Sequence, residues 1–156
     1  DTMYVLAAGS GTAAGKTEVA QIDRSSLPVW IDTFCRSFAV PQWKTEVGRI
    51  MDASFGRLKL LLSYKDGVPA GCAALFSKNG VTGLYCLGTV SQLRGRGLAK
   101  EILKSAMSKD LFLQTLGSEG LVPFYEKAGF AVANTKKIYV VRRASKLKGS
   151  RNRAVK

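Results

Sequence analysis

Hydrophobic positions recur along this chain with two periods, and the period changes twice. Residues 3–8 form a short apolar run and residues 18–22 alternate, so both predict strands. The Gly/Ala/Ser/Thr stretch between them, 9–15, reads as a loop. Val29, Trp30, Phe34 and Phe38 then fall at helical spacing, with Ser25 or Ser26 as N-cap and Pro28 in the first turn. Pro41 ends that helix. Trp43, Val47, Ile50 and Met51 mark one face of a second helix over 42–53.

The period then drops to that of strands. Runs at 58–64, 70–77 and 84–90 are separated by Lys65-Asp66-Gly67 and Lys78-Asn79-Gly80, whose Asp-Gly and Asn-Gly pairs predict tight hairpins and an antiparallel succession. After Gly97 the helical period returns with Leu98, Ala99, Ile102, Leu103, Ala106 and Met107. A strand at 111–116 follows. Pro123 opens a short helix that Gly129 closes, and 131–133 and 137–141 complete the strands. The strand at 84–90, the helix after Gly97 and the strand at 111–116 make one right-handed crossover. The expectation is a single α/β domain with a mixed sheet, antiparallel first and parallel at one pair, over residues 1–145.

Composition narrows the chemistry. At 156 residues with 46 % hydrophobic and 22 % charged positions, the chain has the make-up of one globular domain. It contains no histidine, which removes His-based triads, His general bases and His metal ligands. Cys35, Cys72 and Cys86 have no C-x-x-C spacing, so no metal is expected. Their odd number argues against a disulfide scaffold and for a reducing, cytoplasmic setting. No apolar run approaches the ~20 residues of a membrane span, and the start Asp1-Thr2-Met3 shows no basic and apolar leader pattern, so no signal peptide is expected in the sequence as given. Asp1 in the first position suggests a chain excised from something longer. The net charge is +13, and seven of the basic residues lie between Arg142 and Lys156 without an acid. Residues 146–156 therefore read as a basic tail, either merely solvated or touching nucleic acid.

Two glycine loops are candidates for phosphate binding. Gly15-Lys16-Thr17 ends like a Walker loop, but Ser10 stands where that loop needs its first glycine. The segment Gln92-Leu93-Arg94-Gly95-Arg96-Gly97-Leu98-Ala99 lies between a strand and a helix, where backbone amides and a helix dipole meet an anion. It lacks the third glycine of a dinucleotide fingerprint, since Lys100 occupies that place.

Arg94-x-x-Gly97-x-Ala99, after the strand ending Leu87-Gly88-Thr89-Val90, resembles the acyl-CoA pyrophosphate motif of the GNAT superfamily of N-acetyltransferases. Phe124-Tyr125-Glu126-Lys127-Ala128-Gly129-Phe130 resembles that family's second signature, and the element order agrees over about residues 18–143. The resemblance implies a GNAT-like fold and direct acetyl transfer from acetyl-CoA to an amine, on a small molecule or a protein. It implies that the strands at 84–90 and 111–116 splay. The backbone of Leu87, Gly88, Thr89 and Val90 would hold pantetheine, and Arg94, Gly95, Arg96, Gly97, Leu98 and Ala99 would cradle pyrophosphate. Tyr125 would be the general acid.

The chain departs from the pattern in having no acid between residues 67 and 100; Glu101 lies inside the following helix, which leaves Glu46 and Glu119 as bases by elimination, or a water chain ending on backbone carbonyls. It also carries Gln114-Thr115 where an asparagine is frequent. On the acceptor side the resemblance points to Trp30, Trp43 and Glu46, with Phe34 and Phe38 beside them; the other reading makes these aromatics core. A rival function is a GNAT-like module that binds acyl-CoA or nucleic acid without turnover. The match of Thr2-Met3-Tyr4-Val5-Leu6 to Lys137-Ile138-Tyr139-Val140-Val141 supports a second reading of 1–8, as the last strand of a preceding domain or a swapped strand.

Overall fold

The structure is a computed structural model that describes residues 1–8 and 18–139. Strands β1 (Thr2–Ala8), β2 (Glu18–Gln21), β3 (Lys59–Lys65), β4 (Val68–Lys78), β5 (Val81–Thr89), β6 (Leu111–Leu116) and β7 (Phe130–Lys137) form one sheet. Their order is β2-β3-β4-β5-β6-β1-β7, and every neighbouring pair is antiparallel except β5 and β6. Helices α1 (Leu27–Phe38), α2 (Lys44–Ser54), α3 (Leu98–Ala106) and α4 (Val122–Lys127) cover its two faces. None of the described helices is long and apolar enough to cross a membrane.

Alternation in β3 and β4 assigns side chains to the two faces. Leu60, Leu62, Cys72 and Ala74 pack with Trp30 and Ile31 of α1 and Val47 of α2. Leu61, Ala73 and Leu75 point the other way, into a cluster with Ile102 and Leu103 of α3 and with Leu6, Tyr125 and Phe130. The hairpins turn as the sequence predicts. Asp66-Gly67 and Asn79-Gly80 each have φ near +51° and +77°, the paired left-handed geometry of a two-residue turn.

Several boundaries differ from expectation for local reasons. Ser26 is the N-cap residue of α1, as expected, but its side chain makes no cap bond; Asp23 caps a 3-10 turn (Arg24–Ser26) ahead of α1, its carboxylate accepting Ser26 N at 3.0 Å. α1 stops at Ala39, whose φ of +55° ends the helical path before Pro41 is reached. Residues 41–43 form their own 3-10 turn, so α2 starts at Lys44. The two short strands expected after Gly129 are one strand, Phe130–Lys137, and positions 140–141 lie outside the described residues. So do the loop at 9–15, the Gly15-Lys16-Thr17 segment and the basic tail.

Candidate active site

β5 and β6 pair only at their beginnings: Thr82 with Leu111, Gly83 with Phe112 and Leu84 with Leu113. Past that point β5 has no partner on the β6 side, although both strands continue. A bulge marks the departure. The β4–β5 register jumps from Cys72 opposite Gly88 to Ala74 opposite Tyr85, so Cys86 and Leu87 together face Ala73. Cys86 takes a φ of +55°, and its carbonyl accepts the Cys72 thiol at 3.5 Å. An extra residue of this kind twists a strand and re-aims the residues beyond it; here Gly88 and Thr89 stay paired with Cys72 and Gly71 of β4 while the β6 side of β5 is left open.

A cavity of about 640 Å³ opens where the strands part. Leu87, Gly88 and Thr89 of β5 form one wall, and Ser37 and Phe38 at the end of α1 form a second. Leu93, Arg94, Gly95 and Gly97 of the loop, with Leu98, Ala99 and Lys100 of α3, form a third. Glu119, Leu121, Phe124 and Tyr125 close it. α1 approaches β5 very closely: a Cβ on Gly88 would lie 2.7 Å from the Phe38 ring and 2.8 Å from Ser37 Cβ. The buried Ser37 Oγ has no oxygen or nitrogen partner.

Gly95 and Gly97 have φ of +74° and +79°, a region that costs other residues roughly 1–2 kcal/mol. Gly97 O accepts the first helical bond of α3, from Glu101 N at 3.0 Å, and no side chain caps that end. The amides of the first turn thus remain free at the cavity, at the positive end of the helix dipole. These features fit an anionic cofactor with a long polar arm: uncapped amides for phosphate, an open strand edge for an extended chain, and the cations Arg94 and Lys100.

Tyr125 is 7 % exposed, with its ring edge-on to Phe124 and Phe130 at 5.2 and 6.1 Å. Burial, and then the negative charge of Glu119, push its phenol up to about 12. Tyr125 is therefore a protonated donor at neutral pH. Glu119 Oε2 accepts the Thr115 hydroxyl at 2.8 Å and Leu116 N at 3.3 Å, which fixes the carboxylate on the cavity wall.

Not all of the residues expected from the sequence meet here. Val90 is buried and its amide donates to Ala70 O at 2.9 Å, so its backbone donor belongs to the sheet. Arg96 is exposed and off the cavity. Arg94 lines the cavity, but its guanidinium is engaged with backbone, Nε to Thr89 O at 3.2 Å and NH2 to Ser37 O at 2.9 Å. It straps β5 to α1.

The expected acceptor wall does not form. Trp30 has no exposed surface, and its indole N–H donates to Leu61 O and Ala73 O, both at 3.1 Å; it is core, not pocket. Trp43 is 55 % exposed in the turn before α2, away from the cavity. Glu46 is held by Arg49 on the outer side of α2. Of that aromatic group only Phe38 reaches the cavity. Glu101 is paired with Lys104 at 2.8 Å within α3, and of the two carboxylates left by elimination Glu119 alone lines the cavity. Ser37, Leu93, Lys100 and Leu121 were not singled out in the sequence. Lys100 was within reach of the same reasoning, since it sits in the first turn after Gly97. The thiols of Cys35, Cys72 and Cys86 are all raised by burial and are packing groups rather than nucleophiles.

Comparison with known proteins agrees with this architecture. No curated protein matches the chain. Among solved structures, a functionally unknown conserved protein from Staphylococcus epidermidis superposes with a TM-score of 0.73 at 12 % identity, over 86 % of this chain and 58 % of that one. The present chain thus spans less than two thirds of that relative. The ribosomal-protein-S18-alanine N-acetyltransferase of Escherichia coli gives 0.63 at 16 % identity, over 76 % and 80 %. AAC(6')-Iy, solved with the bisubstrate analogue CoA-S-monomethyl-acetylneamine, gives 0.59 at 14 % identity, over 84 % and 100 %. At such identities the likeness is one of fold. Residues 22–140 match the family model described as an acetyltransferase (GNAT) domain, which takes in the splayed strands, the glycine loop and Tyr125. The chain belongs to the GNAT acetyltransferase family.

Proposed function

We propose that this chain is an N-acetyltransferase that binds acetyl-CoA in the β5–β6 opening and transfers its acetyl group directly to an amine. The observation that carries this reading is the parting of β5 from β6 after Leu84 and Leu113, beside the uncapped α3 N-terminus. Acetyl-CoA supplies the acetyl group as an activated thioester. The first-turn amides of α3, with Gly95 and Gly97 beneath them and Lys100 alongside, bind the pyrophosphate. The free edge of Leu87, Gly88 and Thr89 offers backbone donors and acceptors to the pantetheine arm and a donor to developing oxyanion charge.

Tyr125 holds its proton and directs it at the departing sulfur. With the phenol near 12, full ionisation of Tyr125 is uphill against an ordinary thiol near 8.5. Its part is hydrogen-bond donation as negative charge grows on sulfur. Glu119 is the carboxylate placed to take the proton released by the amine, directly or through water. Phe38, at the α1 end of the cavity, borders the space left for the acceptor.

The test is acetyl-CoA-dependent thiol release across a panel of small amines and peptide N-termini, with Tyr125→Phe as control. Turnover by the unaltered chain that falls sharply in the variant, with acetyl-CoA affinity retained, supports the reading. Tight acetyl-CoA binding without thiol release for any amine would make the chain a binding module instead.

A further inference from the structure

One carboxylate and three apolar side chains of the cavity are left without partners, and together they describe an acceptor. Pyrophosphate and pantetheine would occupy the glycine loop, the first turn of α3 and the edge of Leu87–Thr89. The rest of the lining includes Phe38 at the end of α1, Glu119 in the 3-10 turn before α4, and Leu121 and Phe124 beside Tyr125.

Phe38 and Leu121 are large apolar side chains, yet they stand 44 % and 39 % exposed on the cavity wall. Phe38 is braced from behind. Its ring lies 4.8 Å from Phe34, which stacks at 5.6 Å on the buried, hydrogen-bonded Trp30. Phe124 is set edge-on to Tyr125 at 5.2 Å. These are fixed apolar surfaces, and an apolar group laid on them leaves water at a gain.

Glu119 supplies the charge. Asp32, Glu46, Asp52, Asp66 and Glu101 are each held by a lysine or arginine. Glu119 has no such partner among the described residues, in a chain of net charge +13. Its Oε2 takes the Thr115 hydroxyl and Leu116 N, and its Oε1 takes no bond among the described residues. One ammonium fits that vacancy. A second ammonium in the same molecule finds no second carboxylate. Glu126 does not line the cavity, the Asp1 carboxylate is spent on Ser118, and the other charged lining groups are the cations Arg94 and Lys100.

We propose that the acceptor is an amine bearing a single positive charge next to an apolar group, its ammonium on Glu119 and its apolar body against Phe38, Leu121 and Phe124. A small free amine and a peptide N-terminus with an apolar first side chain share that chemistry; polyamines and oligomeric amino sugars do not. The inference rests on the acetyl-transfer reading for the place of the cofactor, and it is tested by binding, so that the two fail separately.

The test is calorimetry on the unaltered chain with coenzyme A present. The probes are phenylethylamine, ethanolamine and spermine, and two tripeptides, one beginning with phenylalanine and one with serine. In one of the two pairs the apolar member should bind at least about tenfold more tightly than the polar member, and that pair names the source. Spermine should bind no more tightly than ethanolamine. Tightest binding by spermine, or no apolar preference in either pair, overturns the inference even where acetyl-CoA-dependent thiol release is found. Absence of coenzyme A binding is a different failure, which removes the acetyl-transfer reading and the inference with it. Leu121→Ser tests the apolar wall, because serine suits the N-cap position that Leu121 occupies and so preserves α4. It should weaken the favoured apolar ligand roughly tenfold more than its polar counterpart, whereas Glu119→Gln should weaken both alike. Equal losses for the two ligands in Leu121→Ser contradict the assigned wall.

Discussion

The two halves of the sheet use backbone in opposite ways. From β2 to β5 the strands pair along most of their lengths, and even the Trp30 indole N–H is spent on two carbonyls of that half. From β5 to β6 pairing stops after three residues, and the freed edge faces a cavity. Where side chains fill every space, polar backbone satisfies itself and the region is scaffold. Where a bulge at Cys86 and two left-handed glycines hold the backbone open, the donors and acceptors are kept for something else. The contrast separates residues that hold the fold from residues that would hold a ligand, and substitutions in each half should fail in different ways.

The largest effect is expected in the packed half. Trp30→Ala removes a fully buried indole and leaves two carbonyls to lose their donor, which should cost about 3–5 kcal/mol of stability. Urea unfolding measures this, and the folded fraction should still bind acetyl-CoA with unchanged affinity. A loss of affinity at full folding would blur the division between the halves.

Next, in the open half, Tyr125→Phe keeps the edge-on ring contacts and removes the hydroxyl. It should lower kcat by roughly 100-fold, within the usual range for a lost proton donor, with little change in acetyl-CoA dissociation constant. Steady-state kinetics set beside calorimetric binding checks the split.

Gly97→Ala is a milder change that separates conformation from space. A Cβ there meets nothing within 4 Å, so only the φ of +79° opposes it. The strain is roughly 1–2 kcal/mol, and relaxing it would tilt the first-turn amides of α3. The expected result is a tenfold or greater weakening of acetyl-CoA binding with a small stability loss. Gly88→Ala at the same cavity should instead push α1 away, because a Cβ there collides with Phe38 and Ser37.

The smallest effect concerns pH. Burial raises the Tyr125 phenol from 10 to about 12, so the folded state holds this proton more tightly than the unfolded chain does. That contribution is complete below pH 10 and is lost as pH rises toward 12. Stability should therefore decline over that range in the unaltered chain and decline less in Tyr125→Phe. An alkaline loss of activity well below pH 10 that disappears in Tyr125→Phe would show that the phenol is not held protonated in this way.

The sequence was most legible where one local signal decided the outcome. Asp66-Gly67 and Asn79-Gly80 gave two hairpins, the apolar period after Gly97 gave α3, and 111–116 coincides with β6. Gly95 and Gly97 stand at the cavity because both need a left-handed backbone. The features that the sequence obscured depended on tertiary contacts. Trp30 looks the same at helical spacing whether it meets an acceptor or two strand carbonyls. Arg94 reads from sequence as an anion ligand alone; the structure keeps it on the cavity wall and adds a second part, Nε and Nη2 bonding to the Thr89 and Ser37 carbonyls. Glu119 carries no local signature, since only the turn at 117–119 and the Thr115 hydroxyl bring its carboxylate to Tyr125.

The most direct measurement is a titration of the unaltered chain with acetyl-CoA, followed by melting temperature, with ATP as control. At about 100 times its dissociation constant a ligand adds about 2.7 kcal/mol, which is about 5–10 °C for a domain of this size. A rise of that order with acetyl-CoA and none with ATP is the expected result. No rise with acetyl-CoA would contradict the assignment of the β5–β6 opening as its binding site.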